Sequence, residues 1–203
     1  MATGIQFTDA DRVRSRAAWS DFWAGKLDRP ILWLTRKEVP EGTELPPLPR
    51  FMGQVPLDMP ADELIGRCEA HLACERYYGD AMPKIWINFG PGIMAGFLGG
   101  RVVRDERTIW FEPADPESPA PVTDLRPAYD PDNVWWRRVR ELTAVAARRW
   151  NGRVLVGHTD LGGNLDILAS LRTTEGLLTD LVDHPDHVDR TIAEITRLLL
   201  RYY

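Results

Sequence analysis

The stretch Arg153-Val-Leu-Val-Gly-His-Thr-Asp-Leu-Gly-Gly-Asn-Leu-Asp166 decides the fold. Residues 154–157 read as a short buried strand bounded by turn residues. His158 and Asp160 follow where that strand opens onto a binding face, and Gly162-Gly163 leads into a helix start. In barrels and open α/β sheets, ligands sit at the carboxyl ends of strands. A second stretch, Ile85-Trp-Ile-Asn-Phe-Gly-Pro-Gly-Ile93, has the same grammar of strand followed by a glycine-rich exit. The two exits are expected to share one site.

Outward from this stretch, residues 9–25 read as a helix capped by Thr8 or Asp9. Ala18, Trp19, Phe22 and Trp23 give it apolar contacts, and Gly25 stops it. Asp28-Arg29-Pro30 turns into a strand over 31–35. The prolines between 40 and 60 predict an irregular loop. Residues 61–78 read as a helix with Leu64, Ile65, Cys68 and Leu72 on its buried stripe. A strand over 84–89, a short helix over 91–98 and a hairpin of 102–104 with 108–111 follow, then a second proline-rich loop over 113–131. The next helix, 133–150, buries Trp135, Val139, Leu142, Ala146 and Trp150 and stops at Asn151-Gly152. Helices over 164–171 and 174–182 precede a last one with Val188, Ile192, Ile195, Leu199 and Tyr202 in a row. Because that row runs to the final residues, the chain is expected to continue past Tyr203.

Strands alternating with helices argue for α/β and a largely parallel sheet. Three parallel-type strands and one hairpin fall short of the eight strands and roughly 250 residues of a closed barrel. The 203 residues therefore read as one domain, 1–203, forming the N-terminal half of a (β/α)8 TIM barrel. Eight tryptophans and 44% hydrophobic residues allow a sizeable core, and a net charge of -5 argues against a nucleic-acid surface. No apolar run reaches the roughly 18 residues of a membrane span, and residues 1–16 hold no apolar signal core. Cys68 and Cys74 fit a reducing compartment. A cytoplasmic location without membrane or nucleic-acid partners is expected, and the oligomeric state is left open.

His158 is suited to acid–base work near neutral pH or to bonding a substrate carboxylate. Equally, Asp160 could cap the following helix while His158 bonds the backbone. Gly90-Pro91-Gly92, with Gly96 and Glu112, mimics a dinucleotide fingerprint. Pro91 lacks an N–H and the following helix is too short, so a tight turn aiming backbone N–H groups at the site is the better reading. Asn88 either points into the site or stabilises that turn. Cys68, His71 and Cys74 invite a zinc reading. However, 68 and 74 lie about 120° apart around a helix and a fourth ligand is needed, so a core role is expected. Trp33, Trp86 and Trp110 are expected to pack in the core or at a barrel mouth. Asp166 and Arg172 are placed to pair with each other, and His184 and His187 read as exposed helix-start residues.

Several segments in order resemble the uroporphyrinogen decarboxylase superfamily. They are Trp19-Ser-Asp-Phe-Trp-Ala-Gly25 with Asp28-Arg29-Pro30, Gly79-Asp-Ala-Met-Pro83, Asn88-Phe-Gly-Pro-Gly92 with Leu98-Gly99, and Thr108-Ile-Trp-Phe-Glu-Pro113. Gly157-His-Thr-Asp160 with Leu165-Asp-Ile-Leu168, Leu171-Arg172 and Asp183-His-Pro-Asp-His-Val188 complete the set. The resemblance spans nearly the whole chain and implies the barrel fold. The superfamily also contains cobalamin- and corrinoid-dependent methyltransferases. Its decarboxylases carry an arginine-rich N-terminal segment, whereas residues 31–49 hold only Arg36 and Lys37. They also place an Asp on the strand matching 84–89, where this chain has Asn88 and Gly90, and a Tyr after the strand matching 154–157, where none occurs before Tyr202.

The resemblance therefore implies the methyltransferase branch, moving a methyl group between a small donor and a corrinoid or thiol. Zinc and a corrinoid are the implied cofactors, and a small molecule or corrinoid protein is the implied partner. The family's zinc ligands lie in its C-terminal half, beyond Tyr203. His158 and Asp160 take the catalytic positions, and Asn88, Gly90 and Gly92 the substrate-binding ones. Porphyrinogen decarboxylation in tetrapyrrole synthesis, or a non-catalytic ligand-binding or inactive member, are the alternatives.

Overall fold

The computed structural model describes residues 4–203; residues 1–3, part of the stretch read above for signal character, lie outside the described residues. In chain order the elements begin α1 (Asp9–Trp23), β1 (Trp33–Lys37), α2 (Ala61–Ala73), β2 (Glu75–Gly79), β3 (Lys84–Trp86), α3 (Met94–Phe97) and β4 (Arg101–Arg104). They continue β5 (Ile109–Glu112), α4 (Val134–Trp150), β6 (Leu155–Gly157), α5 (Asn164–Arg172), α6 (Thr174–Asp183) and α7 (Pro185–Tyr202). The chain folds as two compact units. The first holds the residues up to Leu48 with Asp58–Trp86 and Leu142–Gly157, and the second Pro49–Leu57, Ile87–Glu141 and His158–Tyr203.

In the first unit, Thr8 starts α1 through a reciprocal capping box. Its hydroxyl accepts from the Asp11 N–H at 3.1 Å, and the Asp11 carboxylate accepts from the Thr8 N–H at 2.9 Å. α2 buries Leu64, Ile65, Cys68 and Leu72 on the stripe its sequence specifies. It ends at Ala73, five residues before the expected stop, because the next segment pairs as β2 antiparallel with β1 from Trp33↔Gly79 to Lys37↔Glu75. Strand pairing thus overrides a helical reading of Tyr77 and Tyr78, whose aromatic side chains suit a pleated surface. β3 is shorter than expected and lies parallel to β6, with Ile85 opposite Val156.

These pairings overturn the barrel. Among the described residues the chain is mixed α/β with seven α-helices, and every sheet has two strands. The strand expected as the first barrel stave is tied antiparallel to β2, and only β3 and β6 run parallel. A half-barrel needs a run of several adjacent parallel strands, and the described residues offer one parallel pair.

In the second unit, β4 and β5 form the expected hairpin. Asn133 caps α4: its Oδ1 accepts from the N–H groups of Trp135 at 3.0 Å and Trp136 at 3.2 Å, while its Nδ2 donates to Gly96 O at 3.1 Å. Tyr202 closes the core, its ring 5.1 Å from Phe97 and 4.8 Å from Tyr129, with its hydroxyl accepting from the Asp130 N–H at 3.0 Å. Arg172 pairs across the α5–α6 corner with buried Asp180 at 2.7 Å, not with Asp166. Trp86 and Trp110, expected in the core or at a barrel mouth, are 46% and 39% exposed. No helix among the described residues is long and apolar enough to cross a membrane.

Candidate functional site

Four of the five sequence-nominated residues come together in the second unit, where the segments 87–93 and 158–163 are bonded to one another. Asp160 O accepts from the N–H groups of Gly92 at 3.3 Å and Ile93 at 3.2 Å. The buried Thr159 hydroxyl accepts from the Phe89 N–H at 3.3 Å. Both glycines of Gly-Pro-Gly take φ +99°, conformations that L side chains rarely adopt, and Gly162 takes φ +87°. The turn reading of Gly90-Pro91-Gly92 therefore holds, and the turn aims two N–H groups at the neighbouring segment's carbonyl.

Two of the side chains are occupied locally. Asn88 Oδ1 accepts from the Gly90 N–H at 3.0 Å, and Asp160 Oδ1 accepts from the Gly162 N–H at 2.9 Å. Each is an Asx turn that fixes its own loop. His158 stands apart from this lock. Its Nδ1 lies 2.7 Å from Thr159 O, which can only accept, so Nδ1 carries a hydrogen, and in the neutral form of the ring Nε2 is the acceptor. The exposed ring packs 5.1 Å from that of Tyr203.

Sequence reasoning missed three participants. Thr159 latches the two segments, and only its position inside His-Thr-Asp pointed to it. Gly162 approaches Gly92 backbone to backbone. Phe111 of β5 lies 4.0 Å from where a Gly92 Cβ would stand, and it borders a cavity of about 370 Å³ lined also by Glu112, Asp166, Ser170, Thr173 and Thr174. Arg101 and the Trp110 Nε1–H hold Glu112 below the usual carboxylate range. The Asp166 carboxylate has no hydrogen bond or ion pair among the described residues, which leaves it the open negative charge on this wall.

Among the described residues no three His, Cys, Asp or Glu side chains cluster. Burial pushes the Cys68 thiol up to about 11, which disfavours the thiolate that zinc binds. His71 Nε2 donates to Pro46 O at 2.8 Å and its Nδ1 faces the Lys37 ammonium at 3.0 Å. The described residues supply no ligand set for zinc.

Compared with known proteins, the chain matches no family model, none of the curated proteins and no solved structure.

Proposed function

We propose that the chain binds a small molecule where the segments 87–93 and 158–163 meet, and that it serves the methyltransferase chemistry of the uroporphyrinogen decarboxylase superfamily it resembles. The observation that carries the site is the pair of hydrogen bonds that the Gly92 and Ile93 N–H groups donate to Asp160 O. It joins two glycine-rich strand exits into one rigid edge, the arrangement on which precise substrate positioning depends. Asp166 and the Ser170, Thr173 and Thr174 hydroxyls on the adjacent cavity favour a small methylated amine carrying positive charge as the donor. His158 in its neutral form accepts a hydrogen bond from the ammonium N–H through Nε2 and orients the donor; the methyl group passes to the acceptor while the nitrogen keeps its proton and the C–N electron pair and leaves as a neutral amine. The acceptor is a corrinoid or a thiol.

The test pairs calorimetric titration of mono-, di- and trimethylamine with methyl transfer to reduced cobalamin or a thiol, in wild type and His158→Ala. Donor binding with transfer lost in His158→Ala supports the reading. Transfer unchanged in that variant removes His158 from the chemistry, and absence of donor binding removes the site.

A second reading is a non-catalytic ligand binder of the same kind. Asn88 and Asp160 favour it, because both spend a side-chain oxygen on their own turns. Saturable amine binding with no transfer to either acceptor would select it.

A further inference from the structure

α7 has two working faces. One carries Val188, Ile195, Leu198 and Tyr202 into the core. The other carries His187, Arg190 and Glu194 at three- and four-residue spacing, which places them on one surface row. That row does not lie on open convex surface: with Thr191 it forms one wall of a cavity of about 470 Å³, whose opposite wall is the loop containing Val122, Leu125 and Arg126. The volume lies within the roughly 300–1,000 Å³ of small-molecule sites.

The charges in this cavity run opposite to those of the chain, whose net charge is -5. Arg126 is held in place by donating to Thr123 O at 2.7 Å and Leu125 O at 2.8 Å. Arg190 makes no hydrogen bond or ion pair among the described residues. The one acid of the lining, Glu194, is already paired with Arg197. Two guanidinium groups and the His187 imidazole therefore face a space in which the acid is spoken for. Beside them, buried Val122 and half-buried Leu125 offer an apolar surface.

We propose that this cavity binds a small organic anion, a carboxylate on an apolar body. The planar forks of Arg126 and Arg190 match a carboxylate, which guanidinium groups bind by paired N–H donors. The hydrocarbon part lies on Val122 and Leu125. This site shares no residue with the edge around Gly92, so it stands or falls independently of the proposed amine site.

The probes are benzoate, its neutral isostere benzamide, and inorganic phosphate, titrated into the 203-residue chain by calorimetry. Saturable benzoate binding is expected, with benzamide weaker by about tenfold or more, since it lacks the charge-assisted bonds. Arg190→Gln should weaken benzoate by a similar factor and Arg190→Lys by less. Arg190 is exposed, so both variants should retain the wild-type melting temperature. Equal binding of benzoate and benzamide, or benzoate binding unchanged in Arg190→Gln, overturns the carboxylate assignment. Phosphate binding as tightly as benzoate overturns the apolar half of it, and no binding of any probe overturns the site.

Discussion

Gly92 and Gly162 touch through their backbones: a Cβ added to Gly162 would lie 2.7 Å from the Gly92 Cα. The contact is asymmetric. A Cβ on Gly92 would find the Gly162 Cα at 3.8 Å, an ordinary contact distance. Both residues have positive φ, so alanine at either strains the backbone, but only at Gly162 does it also push the two segments apart. Gly92→Ala should cost about 1–2 kcal/mol of stability, and Gly162→Ala about 2–4 kcal/mol. Urea denaturation of the two variants measures this. Equal losses would mean that the close approach of the segments is not what Gly162 provides.

Thr173 offers the reverse case. It sits between α5 and α6 at φ +84°, ψ 151°, a region in which a β-branched residue is strained. Its hydroxyl caps α6 by accepting from the Gly176 N–H at 3.0 Å. Glycine removes the strain, about 1–3 kcal/mol, and as a cap replacement loses only a few tenths. Thr173→Gly should therefore raise the unfolding midpoint. A lower midpoint would show that the hydroxyl contributes more than the strain costs.

Acid should destabilise the first unit through Asp80. The Arg29 guanidinium, at 2.6 and 2.8 Å, and the Leu32 N–H hold its carboxyl down at about 2, below the ordinary 3.8. A group whose folded value is depressed contributes stability that is complete above the unfolded value and is lost as pH falls toward the folded one. The window is therefore roughly pH 4 to 2. Asp11 is also lowered to about 2, by the Thr8 hydroxyl first and then the Thr8 N–H, and acts in the same window. Asp80→Asn should flatten the fall in stability across that window without abolishing it. Melting temperatures recorded every half unit of pH test this; a slope identical to wild type would remove Asp80 from the account.

Local signals in the sequence carried the element order further than the architecture. The α2 stripe, the hairpin, the α4 stop at Asn151-Gly152 and the Gly90-Pro91-Gly92 turn all rest on short-range chemistry, and they form as read. The barrel rested on which strands pair, and that is decided by contacts far apart in sequence. Nothing near residues 75–79 announces that Lys37 will lie opposite Glu75, so the helical pattern of α2 reads on through a strand. At the site, the convergence of Asn88, Gly90, Gly92 and Asp160 followed from two strand exits of like grammar. The Thr159 latch did not, because a threonine after a histidine carries no periodic or turn signal. Asp166 lies at a spacing that suits a pair with Arg172, but the half-buried Arg172 guanidinium takes the buried carboxylate of Asp180 instead.

The central claim is that the segments 87–93 and 158–163 form one small-molecule site. Amide chemical-shift mapping of the isotope-labelled chain during titration with trimethylamine tests it most directly. The account predicts saturable shifts centred on Gly90, Gly92 and Ile93 together with Asp160 and Gly162, moving with a single dissociation constant. Shifts confined to one segment, shifts centred on the Arg126–Arg190 cavity, or none at all would contradict it.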